Sequence, residues 1–330
     1  KQMADLYQQT QQWPVYAQVL RKLSDMTEDV HERAEVCVRL GSLQEEQFHS
    51  PDQAIKLYRE ALEAVPSQLD ALKALERMYR SRSEWSDLIE ILKRKVSAIE
   101  DPEQAVAAKL ELAEAYEDRV SDKTQAIEQY RRVLESDSVN LQALKGLERL
   151  YAQQERWQDL MGILERQLEI VSNDREQITL LTRIASMWEE EFLKHDKAAE
   201  RLEQILVLDP TFIDAHMGLA RLYRHLSRWN DLVNVYERHV NITVDRTEKA
   251  DLFQHMGEVY RDQLHDADRA IDAFVNVTAI DDDNERALRA LSALYEERRE
   301  FSMSLDVLDR LSRLVQAADE RVGLFFRMGK

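Results

Sequence analysis

Apolar residues recur along the chain in short blocks of helical period, separated by turns of a few polar residues. Lys109, Leu112, Ala113 and Tyr116 stand at i, i+3, i+4 and i+7, the spacing that places side chains on one helical face. Ser121 and Asp122 interrupt the pattern and offer N-cap oxygens for a second helix. That helix carries Ala126, Tyr130, Val133 and Leu134 on the side expected to be buried. A second kind of block pair runs Leu72, Leu75 and Tyr79, then a polar turn from Ser81 to Glu84, then Trp85, Leu88 and Leu92. Each pair predicts an antiparallel helical hairpin. Continued along the chain, the pattern predicts an all-α fold of about nineteen helices joined by short turns.

The two kinds of hairpin alternate in a repeat of 72 residues. Trp13, Trp85, Trp157 and Trp229 fall on that spacing, and Phe301 continues them. Tyr7, Tyr79, Tyr151, Tyr223 and Tyr295 repeat in step, as do Ala54, Ala126, Ala198 and Ala270. Leu20, Leu92, Leu164, Tyr236 and Leu308 form a fourth series, with no insertion or deletion between copies. The halves are called here the Trp-type and Ala-type hairpins. A single hairpin is too small to bury a sufficient core, but stacked neighbours make that core continuous. The small Ala series marks the closest approach of paired helices, and the Trp series is expected to act as a packing wedge.

The Ala-type hairpins carry a family resemblance. Phe253, Met256, Gly257 and Tyr260, followed by Ala270 and Phe274, closely resemble the tetratricopeptide pattern W-x2-L-G-x2-Y…A-x3-F…P. Cys37, Leu40, Gly41, Ala54, Tyr58, Ala61 and Pro66 follow it, as do Leu181, Ile184, Ala185, Trp188, Ala198, Leu202 and Pro210. The resemblance implies a right-handed superhelical solenoid of antiparallel helix pairs. Two departures stand out. The turn inside the Ala-type hairpin is one residue longer than the pattern allows, and the Trp-type hairpins place Leu88, Leu160 and Leu232 at its small Ala. They also carry Glu76 and Glu148 at its Gly, so these hairpins are expected to splay wider.

The register also bears on the ends. Met3 and Tyr7 align with Leu75 and Tyr79, so the chain is expected to begin inside a helix at Lys1. Phe325, Met328 and Gly329 restart the Phe253, Met256 and Gly257 motif before Lys330. Residues 1–330 are therefore expected to form a single solenoid that is a piece of a longer array.

Composition agrees with this picture. Seven Gly and five Pro in 330 residues are about a third of average usage, too few for folds rich in special turns. The net charge of −18 opposes nucleic-acid and anionic-membrane partners, and no stretch is apolar enough for a spanning helix. One cysteine fits a reducing compartment but would be equally harmless outside the cell, and with no signal peptide visible a cytoplasmic setting is favoured.

Catalytic chemistry finds little support. Cys37 shares the core-facing slot of Lys109, Leu181 and Phe253, which marks a buried, inert thiol. The eight histidines show no metal-binding spacing; His216 lies in the apolar series of Leu72, Leu144 and Leu288, and His49 and His265 occupy equivalent turns. Asp281, Asp282, Asp283 and Asn284 lack the Gly and distal Glu of a calcium loop and suit a helix N-terminus. No enzyme activity, cofactor or metal is expected.

In tetratricopeptide arrays the first helix of each hairpin lines a groove that usually binds peptides or partner helices. Projected onto that face, the Ala-type hairpins contribute acids, among them Glu45, Glu114, Glu117, Glu189 and Glu258. The Trp-type hairpins contribute bases: Lys73, Arg77 and Arg80, Lys145 and Arg149, Arg221 and Arg224, and Arg289. These charges form either a ladder of ion pairs between hairpins or a striped groove for a partner of mixed charge, and the two readings are compatible. Chaperone-binding members hold a C-terminal carboxylate with a Lys/Asn clamp; Arg77, Arg149 and Arg221 stand where that Asn would be. The expected function is a non-catalytic scaffold binding a protein or peptide partner in its groove. The alternative is a regulatory or substrate-docking array of a larger enzyme.

Overall fold

A computed structural model describes residues 2–329. Lys1, Lys330 and the side chain of Met3, on which the expected register at the two ends rests, lie outside the described residues. The described parts of Lys1–Ile170 and Val171–Lys330 form two compact units.

In the first unit, α1 (Gln2–Gln9) and α2 (Trp13–Met26) form a Trp-type hairpin. An Ala-type hairpin follows, α3 (Val30–Glu46) with α4 (Pro51–Ala64), then a Trp-type one, α5 (Leu69–Arg82) with α6 (Trp85–Ala98). Next come α7 (Pro102–Glu114) with α8 (Lys123–Ser136), then α9 (Leu141–Gln153) with α10 (Trp157–Ile170). The second unit continues the alternation with α11 (Asp174–Glu190) and α12 (His195–Leu208), then α13 (Ile213–His225) and α14 (Trp229–Ile242). It ends with α15 (Arg246–Val259) and α16 (Ala267–Ile280), α17 (Glu285–Glu297) and α18 (Phe301–Leu314), and α19 (Ala318–Met328). The described residues contain these nineteen α-helices and no strand, as the periodicity predicts. Within each unit, every helix packs against its neighbour in chain order.

Local signals explain where helices start. Asp29, Asp101, Asn173 and Asp245 cap the first helices of the Ala-type hairpins, each accepting from a backbone N–H two or three residues on. Asn140 and Asn284 cap α9 and α17 in the same way, so the acidic run before Asn284 does lead into a helix N-terminus.

Helix ends explain the long turn. In the Trp-type hairpins, the N–H of Gln12, Glu84, Arg156, Arg228 and Glu300 donates to the carbonyl five residues back, on the Tyr series. In the Ala-type hairpins, Ser50, Asp122, Lys194 and Asp266 reach six residues back, at 2.7–2.9 Å. The extra residue is thus absorbed in a wider closing turn, which becomes a π-helical turn at Ala115–Val120 and Tyr260–Leu264. Every one of these nine turns needs a left-handed residue, and none is Gly: Gln11, His49, Ser83, Ser121, Glu155, Leu193, Ser227, His265 and Arg299 all have φ between 50° and 60°. This conformation costs a non-Gly residue about 1–2 kcal/mol. Leu193 is 71% exposed and has little packing to lose. Leu193→Gly is therefore expected to raise the urea midpoint of the second unit by the equivalent of about 1 kcal/mol. A lower midpoint would show that the left-handed turn is not kept in solution.

The core repeats as strictly as the sequence. Ala54, Ala126, Ala198 and Ala270 are all fully buried, as expected of the closest helix approach. Four residues later stand Tyr58, Tyr130, Leu202 and Phe274, all within the core. Each meets a glycine too tightly to admit a Cβ: a methyl at Gly41, Gly146, Gly218 or Gly257 would lie 2.6–2.7 Å from that side chain. Gly41 and Gly257 are on the first helix of the same hairpin, whereas Gly146 and Gly218 are on the first helix of the next one. Where one slot holds Gly, the register-equivalent other holds Ala: Ala74, Ala113, Ala185 and Ala290. One glycine per copy makes room for this second-helix side chain, on either side.

The Trp-type hairpins use polar packing where the pattern has Gly. Glu76 is buried, and its carboxylate is bridged by Lys95 Nζ at 2.9 Å, which also reaches Glu111 at 2.6 Å. Glu148 accepts from the buried Gln167 at 2.7 Å. His216 is a core histidine as expected, 1% exposed and stacked on His239 at 5.2 Å. Trp85 is covered by the Arg119 guanidinium, 4.9 Å from its ring.

Candidate partner-binding face

The alternating charges of the first helices meet as ion pairs at a constant offset of 32 residues. In the first unit, Arg77 on α5 donates through Nη2 to both oxygens of Glu45 on α3, at 2.7 and 2.6 Å. Arg149 on α9 grips Glu117, in the π turn after α7, through Nε and Nη2 at 2.6 and 2.7 Å. In the second unit, Arg221 on α13 donates to Glu189 on α11 at 2.8 Å. The fourth copy has Arg261 and Ala293 at these positions, so the ladder stops and Arg261 pairs with its neighbour Asp262 instead.

Burial is unequal across each pair. The side chains of Glu45, Glu117 and Glu189 are 26, 10 and 23% exposed, while the partner arginine side chains are 67, 52 and 69% exposed. The acid is seated, and the arginine stands over it with N–H donors left toward solvent. In the first unit a tyrosine supports the seat: Tyr58 OH lies 3.4 Å from Glu45 and Tyr130 OH 3.0 Å from Glu117. Burial and the adjacent Glu117 push the Tyr130 phenol well above its usual range, while the hydrogen bonds to Glu117 hold Arg149 firmly cationic. The third copy carries Leu202 at that position, so Glu189 lacks this donor, and the fourth carries Phe274 beside Arg261.

The other charged residues of the face divide into paired and open ones. Lys73 and Lys145 are exposed one turn before Arg77 and Arg149, with no charge partner among the described residues. Lys73, Arg77 and Arg80 come together around an open pocket of about 480 Å³, with Glu76 and Lys95 in its lining. Arg80 pairs with Glu76 at 3.1 Å, and Glu114 accepts from Gln142 at 2.6 Å. In the second unit, Arg224 donates to Tyr236 OH at 2.6 Å, and Glu258 accepts from Gln254 at 2.8 Å. Lys95, Glu111 and the phenols of Tyr58 and Tyr130 join this network beyond the charges that the helical pattern places on the face. The recurrence of Tyr at 58 and 130 but not at 202 and 274 was the available signal.

Cys37 is buried, with Sγ 3.5 Å from Ser24 Oγ. Among the described residues, no group of three or more His, Cys, Asp or Glu is placed to hold a metal, and no helix is long and apolar enough to cross a membrane.

No curated protein sequence matches the chain. Among solved structures, the chain resembles a tetratricopeptide repeat protein from Parabacteroides merdae at 12% identity, over 78% of this chain and 98% of that one, with a TM-score of 0.35. It resembles the tetratricopeptide domain of P58(IPK) at 11% identity, over 99% and 95%, with a TM-score of 0.29. YrrB, a tetratricopeptide protein described as having an unusual peptide-binding site, is 17% identical over 59% and 95%, with a TM-score of 0.33. The tetratricopeptide repeat family model matches residues 71–106, 143–178 and 215–250, which are the Trp-type hairpins and the segments just after them. The W-x2-L-G-x2-Y resemblance lies on the Ala-type hairpins, so the pattern and the family match fall on alternate hairpins of one register. Three segments of the chain thus match tetratricopeptide repeats, within an all-α array of helical hairpins.

Proposed function

We propose that the protein is a non-catalytic scaffold that binds a protein or peptide partner along its first-helix face, through residues including Lys73, Arg77, Lys145 and Arg149. The observation that carries this reading is the unequal burial of the ladder. A structural ion pair needs neither an arginine that remains more than half exposed nor an unpaired lysine one turn away, yet both recur 72 residues apart at Lys73 and Arg77, and at Lys145 and Arg149. Seating the glutamate fixes each guanidinium in place, so less side-chain entropy is lost when a partner carboxylate or carbonyl engages its remaining donors. The partner this favours is a segment with acidic side chains spaced to meet successive hairpins. In the second unit, Arg221 and Arg224 offer the corresponding donors.

Reversing the arginines would also break the ladder, so the lysines are the better probes. The double variant Lys73→Glu and Lys145→Glu should keep its helical circular dichroism and thermal midpoint while losing partners that wild type captures from cell extract. Equal capture of the same partners by the folded variant would remove this face from consideration.

A further inference from the structure

The opposite, second-helix side of the first unit carries an arginine with no partner beside an open pocket. Four register-equivalent arginines occur on second helices: Arg94, Arg166, Arg238 and Arg310. Arg94 pairs with Glu90 one turn earlier at 2.6 Å, and Arg238 holds both oxygens of Glu203 at 2.8 Å. Arg310 donates to the Asp282 carbonyl at 2.5 Å and stands 3.7 Å from its carboxylate. Arg166, on α10, is half-buried and has no ion pair or hydrogen bond among the described residues.

The cause is one residue. Glu90 is replaced in the next copy by Gly162, and a Cβ built there meets nothing within 4 Å. The space lies in a pocket of about 440 Å³ between α8 and α10, against about 250 Å³ for the equivalent pocket in which Glu90 stands. Its floor includes Leu134, Leu147 and Ile163, and its other cation is already engaged: Arg131 donates to Tyr151 OH at 2.8 Å and to Asp159 at 3.4 Å. Glu135 lines the pocket, but so does its equivalent Glu63 where Glu90 and Arg94 pair, so this acid does not bar a second carboxylate.

We propose that this pocket is a binding site for a carboxylate on a short aliphatic stem, a glutamate side chain of a partner polypeptide, which takes the room vacated at Gly162 and pairs with Arg166. The protein's own Glu90 and Glu203 show the required chemistry in neighbouring copies. A stem of two or three methylenes suits the apolar floor, and the carboxylate supplies the acceptor that Arg166 lacks. The site is separate from the first-helix face and does not depend on that face being used.

The test is a titration of the full chain, read at the Arg166 Nε–H resonance by ¹⁵N NMR and assigned by its loss in Arg166→Lys. The probes are acetyl-Ala-Glu-Ala-amide, its Gln counterpart and free glutarate. The Glu peptide should give a saturable shift at Arg166, with binding at least tenfold weaker for the Gln peptide and no response at Arg94. Gly162→Glu should move the Arg166 resonance before any probe is added and abolish the response. That helix position is exposed and uncrowded, so the variant folds. Saturation by glutarate but not by the Glu peptide would overturn the polypeptide source in favour of a small free carboxylate. A non-saturable shift, an equal response to the Gln peptide, or a response that persists in Gly162→Glu would overturn the site itself.

Discussion

Phe274→Ala is expected to destabilise the second unit by about 3–5 kcal/mol, the loss typical of a large aromatic removed from a close-packed core. Phe274 is fully buried on α16, with the face of Gly257 against its ring edge and the Arg261 guanidinium 5.8 Å from its centroid. Because the chain has two units, the readout should be local: denaturant dependence of amide exchange in α15 and α16, not one global midpoint. The glycine that makes room for the ring gives a sharper version. Gly257→Ala places a methyl 2.7 Å from two ring atoms and should cost about 1–3 kcal/mol. Adding Ala290→Gly reproduces the arrangement of the second copy, where Ala113 and Gly146 stand in the equivalent slots around Tyr130. The ring can then shift toward the new space, and most of the loss should be recovered. If the two substitutions simply add, the Phe274 ring does not have two interchangeable sides. Gly218→Ala should be milder than Gly146→Ala, since the former meets the end of the flexible Leu202 and the latter the rigid ring of Tyr130.

The fold was legible because its strongest signals are long-range and periodic. Four aromatic and aliphatic series in one register determine where hairpins begin and which kind each is. Individual helix ends were not legible in the same way. A helix C-terminus is ordinarily marked by Gly at the left-handed position, and here Gln11, Leu193, Arg299 and six other residues occupy it. The scarcity of glycine therefore comes from turns that dispense with it, and four of the seven glycines serve close side-chain contacts instead, at Gly41, Gly146, Gly218 and Gly257. The alternating charges of the first helices could be read from the sequence, and so could the possibility that they pair. Their unequal burial could not, because exposure of Arg77 over a seated Glu45 depends on how far two hairpins stand apart. Gly162 was invisible for a related reason. As one glycine in a helical pattern it says nothing until the copy before it shows which side chain is missing.

Lys95→Met is expected to cost the first unit about 3–5 kcal/mol, the range for removing one partner of a buried charge pair, and toward its lower end because Arg80 also reaches Glu76. The Lys95 and Glu76 side chains are only 13 and 10% exposed, and the ammonium serves two carboxylates at 2.9 and 2.6 Å. Burial alone would lower the affinity of Lys95 for its proton, but hydrogen bonds to Glu111 and Glu76 hold it above its ordinary value. A group whose proton affinity is raised by folding contributes stability that is fully present below its unfolded pKa. The bridge therefore contributes steadily through neutral pH and is lost only as alkali passes the raised lysine value. The same position in the fourth copy shows how the site can do without charge, since Ser292 and Leu311 replace Glu76 and Lys95 there. The double variant Glu76→Ser and Lys95→Leu should accordingly be at least as stable as wild type, because no buried charge is left unpaired and Glu111 is 40% exposed and can be solvated. Urea midpoints of the two variants separate the explanations. If the double variant is as weak as Lys95→Met, the loss comes from the packing of the lysine stem, whereas recovery shows that the stranded Glu76 carboxylate is what Lys95 is there to neutralise.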